Sequence, residues 1–237
     1  MIIRAAAELG AANHQSFFAA RAEAAGGMVQ HRYGGTVAVT PNGEAMVLFP
    51  TVPVDAAAEC VAEQLALFER HRPLSEIGWW SLDAAGLPAL GAVLAERGFD
   101  WGWRPNWMML DVARLVVDHA RPAGLTVVEL KDRWWRYEAR LDDVTVGRAI
   151  LHLCEVDGEP VGGLYDMEVD AGQRRRGIGT ALAEAVGERA RDLGCRSVLL
   201  NATGPGEPVY RRVGFDKLGE QGQTWWLPGD RFDQRVG

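Results

Sequence analysis

The stretch Val169-Asp-Ala-Gly-Gln-Arg-Arg-Arg-Gly-Ile-Gly-Thr-Ala-Leu182 decides the fold of this chain. An apolar run ends at Val169, and a turn rich in arginine and glycine follows it. Beyond the turn, apolar residues recur at the spacing of one helix face: Ile178, Leu182, Ala185, Val186, Ala190 and Leu193. Gly194 stands where the residue after a helix C-terminus belongs. The stretch therefore predicts a strand, a tight loop and an amphipathic helix.

The predicted loop is suited to binding an anion. The first amides of a helix have no acceptor within the helix and carry about half a positive charge between them. Gly177 and Gly179 lack a Cβ, so a bulky anion can approach their backbone closely. Arg174, Arg175 and Arg176 add mobile positive charge at the same point. A diphosphate would satisfy all of these groups at once.

Two common phosphate-binding motifs do not fit this loop. A dinucleotide-binding fingerprint requires a small residue at the last position of G-x-G-x-x-G, where this chain has Leu182. A P-loop requires lysine after the second glycine of G-x-x-x-x-G; Gly172 and Gly177 have that spacing, but Ile178 follows. A basic, solvated turn before a surface helix is the alternative that assigns the loop no function.

The loop does match the pattern Q/R-x-x-G-x-G/A, written here as Arg174-x-x-Gly177-x-Gly179. In this it resembles the acetyl-CoA loop of the GNAT acetyltransferase superfamily. Two later positions strengthen the resemblance, which covers about residues 124–227. Asn201 matches a polar residue that bonds the pantetheine arm in that family, although a turn-forming asparagine is the simpler interpretation. Tyr210 matches a tyrosine placed near the CoA sulfur, although it could be a packing residue.

The resemblance implies direct transfer of acetyl from acetyl-CoA to an amine within a ternary complex. Backbone amides from Met167 to Val169 would polarise the thioester carbonyl. Tyr210 would protonate the leaving thiolate, with an ordinary pKa near 10. The residues expected to bind acetyl-CoA are Met167, Val169, Arg174, Arg175, Arg176, Gly177, Ile178, Gly179, Thr180 and Asn201.

The general base is open at the sequence level. Many members of the family carry a carboxylate at the place where this chain has Gly163. Strand alternation puts Gly163, Tyr165 and Met167 on one face and Glu168, our candidate for the base, on the other. A β-bulge, common near active sites, would re-aim Glu168 or its neighbour Asp166. The remaining candidates are His152, Glu155 and a chain of water molecules.

The two halves of the chain resemble each other. The predicted helix Leu87–Arg97 is followed by Gly-Phe-Asp and a tryptophan-rich segment, and the predicted helix Glu207–Arg212 is followed by the same succession. We therefore predict an α+β (mixed α/β) fold of two GNAT-like domains, residues 1–118 and 119–237. Each would be a mostly antiparallel mixed sheet flanked by helices, and the boundary is placed at the loosened pattern around residues 119–124.

The first half is predicted to be degenerate and to form a substrate-side wall. Its segment Pro50–Asp55 has neither arginine nor glycine and so could not cradle a diphosphate. Only a short turn joins the first two predicted strands of the second half, where GNAT domains insert two helices, so the first half would cover the acceptor. Five tryptophans could line that cleft or simply pack in the cores: Trp79, Trp80, Trp101, Trp103 and Trp107.

Three local features of the first half give sharper structural predictions. Asn42-Gly43 predicts the tight turn of a β-hairpin between residues 36–40 and 45–49. Asp55 is predicted to cap a helix that runs to about Arg70. Residues 101–110 are predicted to form one strand, broken at Pro105.

Composition limits the remaining function classes. A net charge of −7 argues against a nucleic-acid partner. Cys60, Cys154 and Cys195 have no metal-binding spacing and predict free thiols in a reducing cytoplasm, with no metal. The segment from Met1 to Glu8 lacks the apolar run of a signal peptide, and no stretch predicts a membrane span. We therefore predict a cytoplasmic monomer or homodimer, without a membrane partner.

The predicted function is N-acetyl transfer to a primary amine of a small molecule or peptide. The runner-up is a non-catalytic protein that binds acyl-CoA or regulates in response to it. That alternative is favoured by the absence of a carboxylate at Gly163.

Overall fold

The computed structural model describes residues 3–233. Residues 1–2, which begin the predicted first domain and the N-terminal segment, and residues 234–237, which end the predicted second domain, lie outside the described part. The chain forms two compact units, each assembled from separate stretches of sequence. Unit one contains Met1–Asn13 and Asn106–Gly219, and unit two contains His14–Pro105 and Glu220–Gly237. These units differ from the contiguous division at 118/119.

The bounds of the regular elements follow the chain. The helices are α1 (Ile3–Ala24), α2 (Ala57–Phe68), α3 (Leu87–Glu96), α4 (Ile178–Asp192), α5 (Glu207–Arg212) and α6 (Gly229–Asp233). The strands are β1 (Met28–Arg32), β2 (Gly35–Val39), β3 (Glu44–Leu48), β4 (Glu76–Ser81), β5 (Asp100–Trp101), β6 (Asn106–Asp111), β7 (Leu125–Lys131), β8 (Trp135–Leu141), β9 (Val144–Val156), β10 (Glu159–Val169), β11 (Ser197–Asn201), β12 (Asp216–Glu220) and β13 (Gln223–Pro228).

Each unit is built on one mixed sheet, as the predicted α+β class requires. The strand order is β12-β6-β11-β10-β9-β8-β7 in unit one and β1-β2-β3-β4-β13-β5 in unit two. Antiparallel pairs dominate, and one parallel pair stands in each sheet: β10 with β11, and β3 with β4. Helix α4 packs against strands of the first sheet, and helices α2 and α3 belong to the second unit.

The halves of the chain exchange strands. Strand β6, from the first half, lies between β12 and β11 in unit one, and β13, from the second half, lies between β4 and β5 in unit two. The strand predicted over residues 101–110 is broken at Pro105, as expected, but it is not one strand, because its two parts, β5 and β6, belong to different sheets. Pro105 precedes β6 and has no amide to donate, which favours an end of pairing at that residue.

Of the local predictions in the first half, the hairpin is confirmed and the helix cap is not. The Asn-Gly hairpin forms, with β2 and β3 in antiparallel register and Gly43 at φ +86°. The helix cap at Asp55 is wrong. Asp55 lies inside a 3₁₀ turn, Val54–Ala56, and the N-cap of α2 is Ala56, which has no side-chain capping bond. The helix consequently starts one residue later than a cap at Asp55 requires.

The apolar face predicted for α4 is its buried face. Ile178, Leu182, Val186 and Ala190 are almost completely buried in the core of unit one. At the other end Gly194 has φ +80°, and the amide of Cys195 donates to the carbonyl of Ala190 at 2.9 Å, as a glycine-terminated helix requires. Helix α4 is thus fixed along its length, and its N-terminus is held in place.

The tryptophans divide into two groups. Trp79, Trp80 and Trp107 are at most 5% exposed, so packing is their role. Trp101 and Trp103 are 60% and 52% exposed and both belong to unit two. Whether they line a cleft for an acceptor stays a prediction.

Two classes of feature are absent from the described residues. None of the helices in residues 3–233 has the length and apolarity needed to span a bilayer. Within the same range, no three histidine, cysteine, aspartate or glutamate side chains group closely enough to hold a metal ion.

Candidate functional site

Strands β10 and β11 part from each other soon after they meet. Their parallel register contains two pairs, Gly162 with Val198 and Gly163 with Leu199. Beyond these pairs β10 continues to Val169, while its other edge stays paired with β9 up to that residue. The edge of β10 that faces β11 therefore carries no strand pairing over its last residues, and its backbone groups are available to a ligand.

The loop after β10 delivers the chain to the N-terminus of α4. A 3₁₀ turn, Ala171–Gln173, is followed by Arg175 at φ +65° and Gly177 at φ +87°. The amide of Ala181 donates to the carbonyl of Gly177 at 3.0 Å, so Gly177 is the N-cap, and no side chain of the described residues caps the helix. The first amides of this 15-residue helix are left for an anion.

The two glycines of the motif have different roles. A Cβ on Gly177 would lie 2.7 Å from the carbonyl oxygen of Ala120, and the positive φ already favours glycine there. A Cβ on Gly179 would make ordinary contacts, 3.5 Å from Val209 of α5 and 3.6 Å from Met167 of β10. Gly179 thus faces the space between the end of β10 and α5, and a longer side chain there would fill that space.

The three arginines are all exposed, and two of them also brace the loop. The Arg174 Nε donates to the carbonyl oxygen of Val169 at 3.0 Å, and Arg176 donates to the side-chain oxygen of Gln173. Together with Arg175 they make the entrance to the helix N-terminus strongly positive.

Two of the residues predicted to bind acetyl-CoA, Ile178 and Thr180, could do so only through their backbone. Ile178 and Thr180 are 1% and 3% exposed, and Met167 and Val169 pack against the core of unit one. The side chains of Ile178 and Thr180 are therefore enclosed in the core, while that of Met167 also borders the space beside Gly179. The amides of all four residues lie at the start of α4 and at the open edge of β10.

Asn201 ends β11 with an unsatisfied side chain. It pairs with Trp107 of β6, and both its amide nitrogen and its amide oxygen are buried without a hydrogen-bond partner among the described residues. A buried polar group without a partner costs about 1–3 kcal/mol. A ligand that offers one donor and one acceptor, as an amide of a pantetheine arm does, would remove that cost.

Tyr210 is more buried than its sequence suggests. It lies in α5, is 8% exposed, and its ring meets that of Phe215 at 5.7 Å between centroids. Burial raises the pKa of Tyr210 to about 12, so the ordinary value near 10 expected from the sequence is wrong. The hydroxyl keeps its proton at neutral pH and can act only as a donor of that proton.

A β-bulge interrupts β10 between Tyr165 and Glu168. The pairing with β9 shifts there, and Asp166 takes φ +46°. The extra residue in the bulge reverses the alternation of side chains along β10. Val169 is paired with Gly147 and its side chain faces α4. Glu168, paired with Arg148, therefore lies on the other face of the sheet, together with Tyr165. The alternation that grouped Tyr165 with Met167 is therefore wrong, and the anticipated bulge is present.

The candidates for the general base differ in exposure and in basicity. Glu168 is exposed and bonds Arg148 at 2.7 Å on the face opposite to α4. His152, opposite Gly163, is 7% exposed, and burial, with a smaller effect of Arg133, lowers its pKa to about 4. It is neutral and a weak base. Glu155 pairs with Pro160 at the far end of the strands from the bulge.

Sequence reasoning missed a buried carboxylate that ties the predicted linker to α4. Glu184 has no exposed side-chain surface and accepts bonds from the His119 amide at 3.1 Å, the His119 ring and Arg121 at 2.5 Å. Burial raises the pKa of Glu184, but these donors outweigh it and hold the pKa below its usual range. Helical spacing places Glu184 away from the apolar face of Ile178, Leu182 and Val186, so no local pattern in the sequence predicts its burial.

Comparison with known proteins agrees with this geometry. Residues 100–215 match the sequence profile of the Acetyltransferase (GNAT) family. A GCN5-related N-acetyltransferase from Kribbella flavida has a similar structure, with a TM-score of 0.63 and 17% identity over 89% of this chain and 95% of that one. A second, from Sphaerobacter thermophilus, gives a TM-score of 0.58 and 14% identity over 86% and 76%.

A tandem GNAT protein from the clavulanic acid biosynthesis pathway, solved without AcCoA, is also similar. Its TM-score is 0.55, with 15% identity over 82% of this chain and 79% of that one. At these identities the likeness establishes the fold. No curated protein matches the chain by sequence.

Proposed function

We propose that this chain, which belongs to the GNAT acetyltransferase superfamily, transfers acetyl from acetyl-CoA to a primary amine of a small molecule or peptide. The observation that carries the proposal is the gap between β10 and β11 beside an uncapped helix N-terminus. One wall of that gap offers free backbone groups, and its mouth offers amides and arginines. A long, polar thioester with a diphosphate suits this arrangement.

The residues present fit acetyl-CoA. The amides at the start of α4 and Arg174, Arg175 and Arg176 would bind the diphosphate. Asn201, whose side chain lacks a partner among residues 3–233, would bond the pantetheine arm. When bound, the thioester supplies an activated acetyl group.

The chain's own groups would then assist transfer at three points. Amides of the bulge segment Met167–Val169 polarise the thioester carbonyl, because developing charge on oxygen is stabilised by fixed donors. Tyr210, protonated because burial raises its pKa to about 12, donates to the leaving sulfur. Glu168 accepts the amine proton, since the bulge turns its carboxylate to the face opposite to α4.

The acceptor is proposed by class only. Glu168 and Asp166 are exposed near the bulge, and their negative charge favours a cationic amine. Catalysis can be separated from mere acyl-CoA binding by Tyr210→Phe. In an enzyme this change lowers turnover and leaves the dissociation constant of acetyl-CoA nearly unchanged.

The experiment that tests the proposal is thermal unfolding with and without acetyl-CoA. Gly179→Glu should abolish the stabilisation, because its side chain enters the space between Met167 and Val209. Gly172→Glu is the matched control: it adds the same charge to the same loop at a position where nothing lies within 4 Å of a Cβ. Gly177 is unsuitable, since any side chain there meets Ala120.

The expected shift is large enough to read without ambiguity. At about 100 times its Kd a ligand stabilises by about 2.7 kcal/mol, which raises Tm by roughly 5–10 °C for a chain of this size. Wild type and Gly172→Glu should both show the shift, and Gly179→Glu should not. Absence of a shift in wild type at millimolar acetyl-CoA would contradict the proposal.

A further inference from the structure

A buried polar cluster lies on the face of the unit-one sheet opposite to α4. Asn13, near the middle of α1, has no exposed surface. Its side-chain nitrogen donates to the carbonyl oxygen of Val161 at 2.8 Å and to the sulfur of Cys154 at 3.4 Å, and its oxygen accepts from the Tyr165 hydroxyl at 2.7 Å. These bonds fix which way the Asn13 amide points.

The cluster is built around the missing side chain of Gly163. A Cβ on Gly163 would lie 2.0 Å from the Asn13 oxygen and 2.5 Å from Cε2 of the Tyr165 ring. The ring therefore folds back along β10 over Gly163 and reaches Asn13. No side chain at position 163, a carboxylate included, is compatible with this arrangement. Gly163 is thus part of the support of Tyr165.

Tyr165 is the last residue of β10 in regular register before the bulge. Register resumes at Glu168, which is paired with Arg148. Between them Asp166 holds φ +46°, a conformation that costs about 1–3 kcal/mol in a residue other than glycine and persists only when its surroundings enforce it. The bulge is therefore held from both sides: by Asn13 through Tyr165, and by Arg148 through Glu168.

We infer that Asn13 is a positioning residue for acetyl transfer, because its bond to Tyr165 fixes the bulge that aims the amides of Met167–Val169. The inference rests on the proposed function. Donors that stabilise a developing oxyanion must be held to within about 0.5 Å, so a bulge free to relax would lose much of their effect. Asn13 acts through Tyr165 and touches no reacting atom.

In the bond between Tyr165 and Asn13, the tyrosine hydroxyl is the donor. Burial, followed by the nearby Cys154 and Asp166, raises the pKa of Tyr165 well above its usual range. The hydroxyl therefore stays protonated and donates to Asn13. Removal of that one oxygen leaves the ring over Gly163, so Tyr165→Phe releases the bulge without emptying the core.

The test measures how strongly the protein polarises the thioester carbonyl, before any acceptor is known. Isotope-edited infrared spectra are recorded for [1-¹³C]acetyl-CoA bound to wild type, Tyr165→Phe and Asn13→Leu. The matched control is Tyr137→Phe, which loses a buried tyrosine hydroxyl bond, to Glu129 at 2.9 Å, on the other face of the same sheet. Circular dichroism checks that each variant is folded.

The bound carbonyl band of wild type should lie below that of free acetyl-CoA. In Tyr165→Phe and Asn13→Leu it should return part of the way to the free position, while the Kd of acetyl-CoA changes by less than about threefold. Tyr137→Phe should leave the band in place. With an active amine in hand, kcat of Tyr165→Phe should fall by about tenfold, which is less than the loss of a whole oxyanion donor.

The alternative outcomes separate the inference from the function on which it rests. A lowered band that is unchanged in Tyr165→Phe overturns the inference and leaves the proposed function intact. An unshifted band in wild type with acetyl-CoA bound also overturns it, because there is then no polarisation to position. Failure of acetyl-CoA to bind wild type removes the proposed function, and the inference falls with it.

Discussion

The parallel strand pairs of the two units are built alike and end differently. In unit two, β3 and β4 pair at five positions, from Glu44 with Glu76 to Leu48 with Trp80, and the amide of Phe49 extends the pairing with a 2.9 Å bond to Trp80. In unit one, β10 and β11 pair at two positions. The parallel pair of unit two thus continues past the end of β3, whereas that of unit one stops after two positions and leaves the last residues of β10 unpaired on that edge.

The residues that end the second strand of each pair show the same difference. Ser81 ends β4, and its hydroxyl accepts the amide of Asp83 at 3.2 Å. Asn201 ends β11, and its buried side chain bonds nothing in the described part of the chain. The turn that follows β3, Pro50–Asp55, also lacks the arginines of the other loop. At this one position, the end of the second parallel strand, unit two satisfies its polar side chain and unit one does not.

The largest effect is expected from separating the halves of the chain. Fragments 1–118 and 119–237 each lack a strand that their main sheet needs, because β6 and β13 are exchanged. In full-length protein β6 pairs with β11 at five positions and β13 pairs with β4 at six. We expect neither fragment to unfold cooperatively in urea, and we expect their mixture to recover the far-ultraviolet circular dichroism of the intact chain.

Recovery on mixing is the discriminating result. If fragment 119–237 alone unfolded cooperatively and bound acetyl-CoA, the exchanged strand would be dispensable and the open pair would not depend on β6. A chain cut in an exposed loop within one unit, between Gly158 and Glu159 in the β9–β10 hairpin, is the control for the effect of a break itself.

A smaller effect is expected at the strand ends. Asn201→Leu should leave the stability of the free protein unchanged or raise it by about 1 kcal/mol, because an unsatisfied buried amide is removed. It should also weaken acetyl-CoA binding by about tenfold. Ser81→Ala should do the reverse: it loses a satisfied bond and about 1 kcal/mol of stability, with unchanged acetyl-CoA affinity.

Urea unfolding and calorimetric titration with acetyl-CoA measure both quantities on both variants. Equal losses of stability in Asn201→Leu and Ser81→Ala would mean that Asn201 is satisfied within the protein. The contrast between an open and a closed strand pair would then lose its energetic basis.

The sequence predicts those parts of the fold that are determined by residues within a single turn or helix. Asn42-Gly43 determines its own turn, and the helical spacing from Ile178 to Ala190 determines its own buried face. The exchange of β6 and β13 was not predicted, because adjacent apolar segments carry no information about which sheet completes them. Asp55 failed as a cap because the chain continued into a 3₁₀ turn, a choice that depends on packing beyond the cap.

The candidate site divides in the same way. The loop from Arg174 to Gly179 is a local motif and was predicted directly. The bond between Asn13 and Tyr165 joins residues 152 positions apart, and nothing near Asn13 distinguishes it from a surface asparagine. The face of Glu168 depends on one extra residue in β10, which alternation alone cannot reveal. The pKa of Tyr210 depends on burial, which a motif does not specify.

The smallest predicted effect is a loss of folding stability at acidic pH, to which one histidine in each unit contributes. Burial lowers the pKa of His14 in unit two to about 3, and burial with a smaller effect of Arg133 lowers that of His152 in unit one to about 4. Each is neutral when folded and gains a proton on unfolding below its ordinary pKa near 6.5. The unfolded state thus binds more protons, so stability falls as pH drops from 6.5 towards 4.

Each histidine should contribute about 1 kcal/mol of this loss between pH 6.5 and 5.5. Urea unfolding at several values in this range, where Glu184 keeps its charge because its pKa is lowered, gives the slope of stability against pH. His14→Phe and His152→Phe should each reduce that slope, whatever they do to absolute stability. If only His14→Phe reduces it, His152 is reached by water in the folded state. The face of the unit-one sheet opposite to α4 would then be open at Gly163 as well as at the bulge.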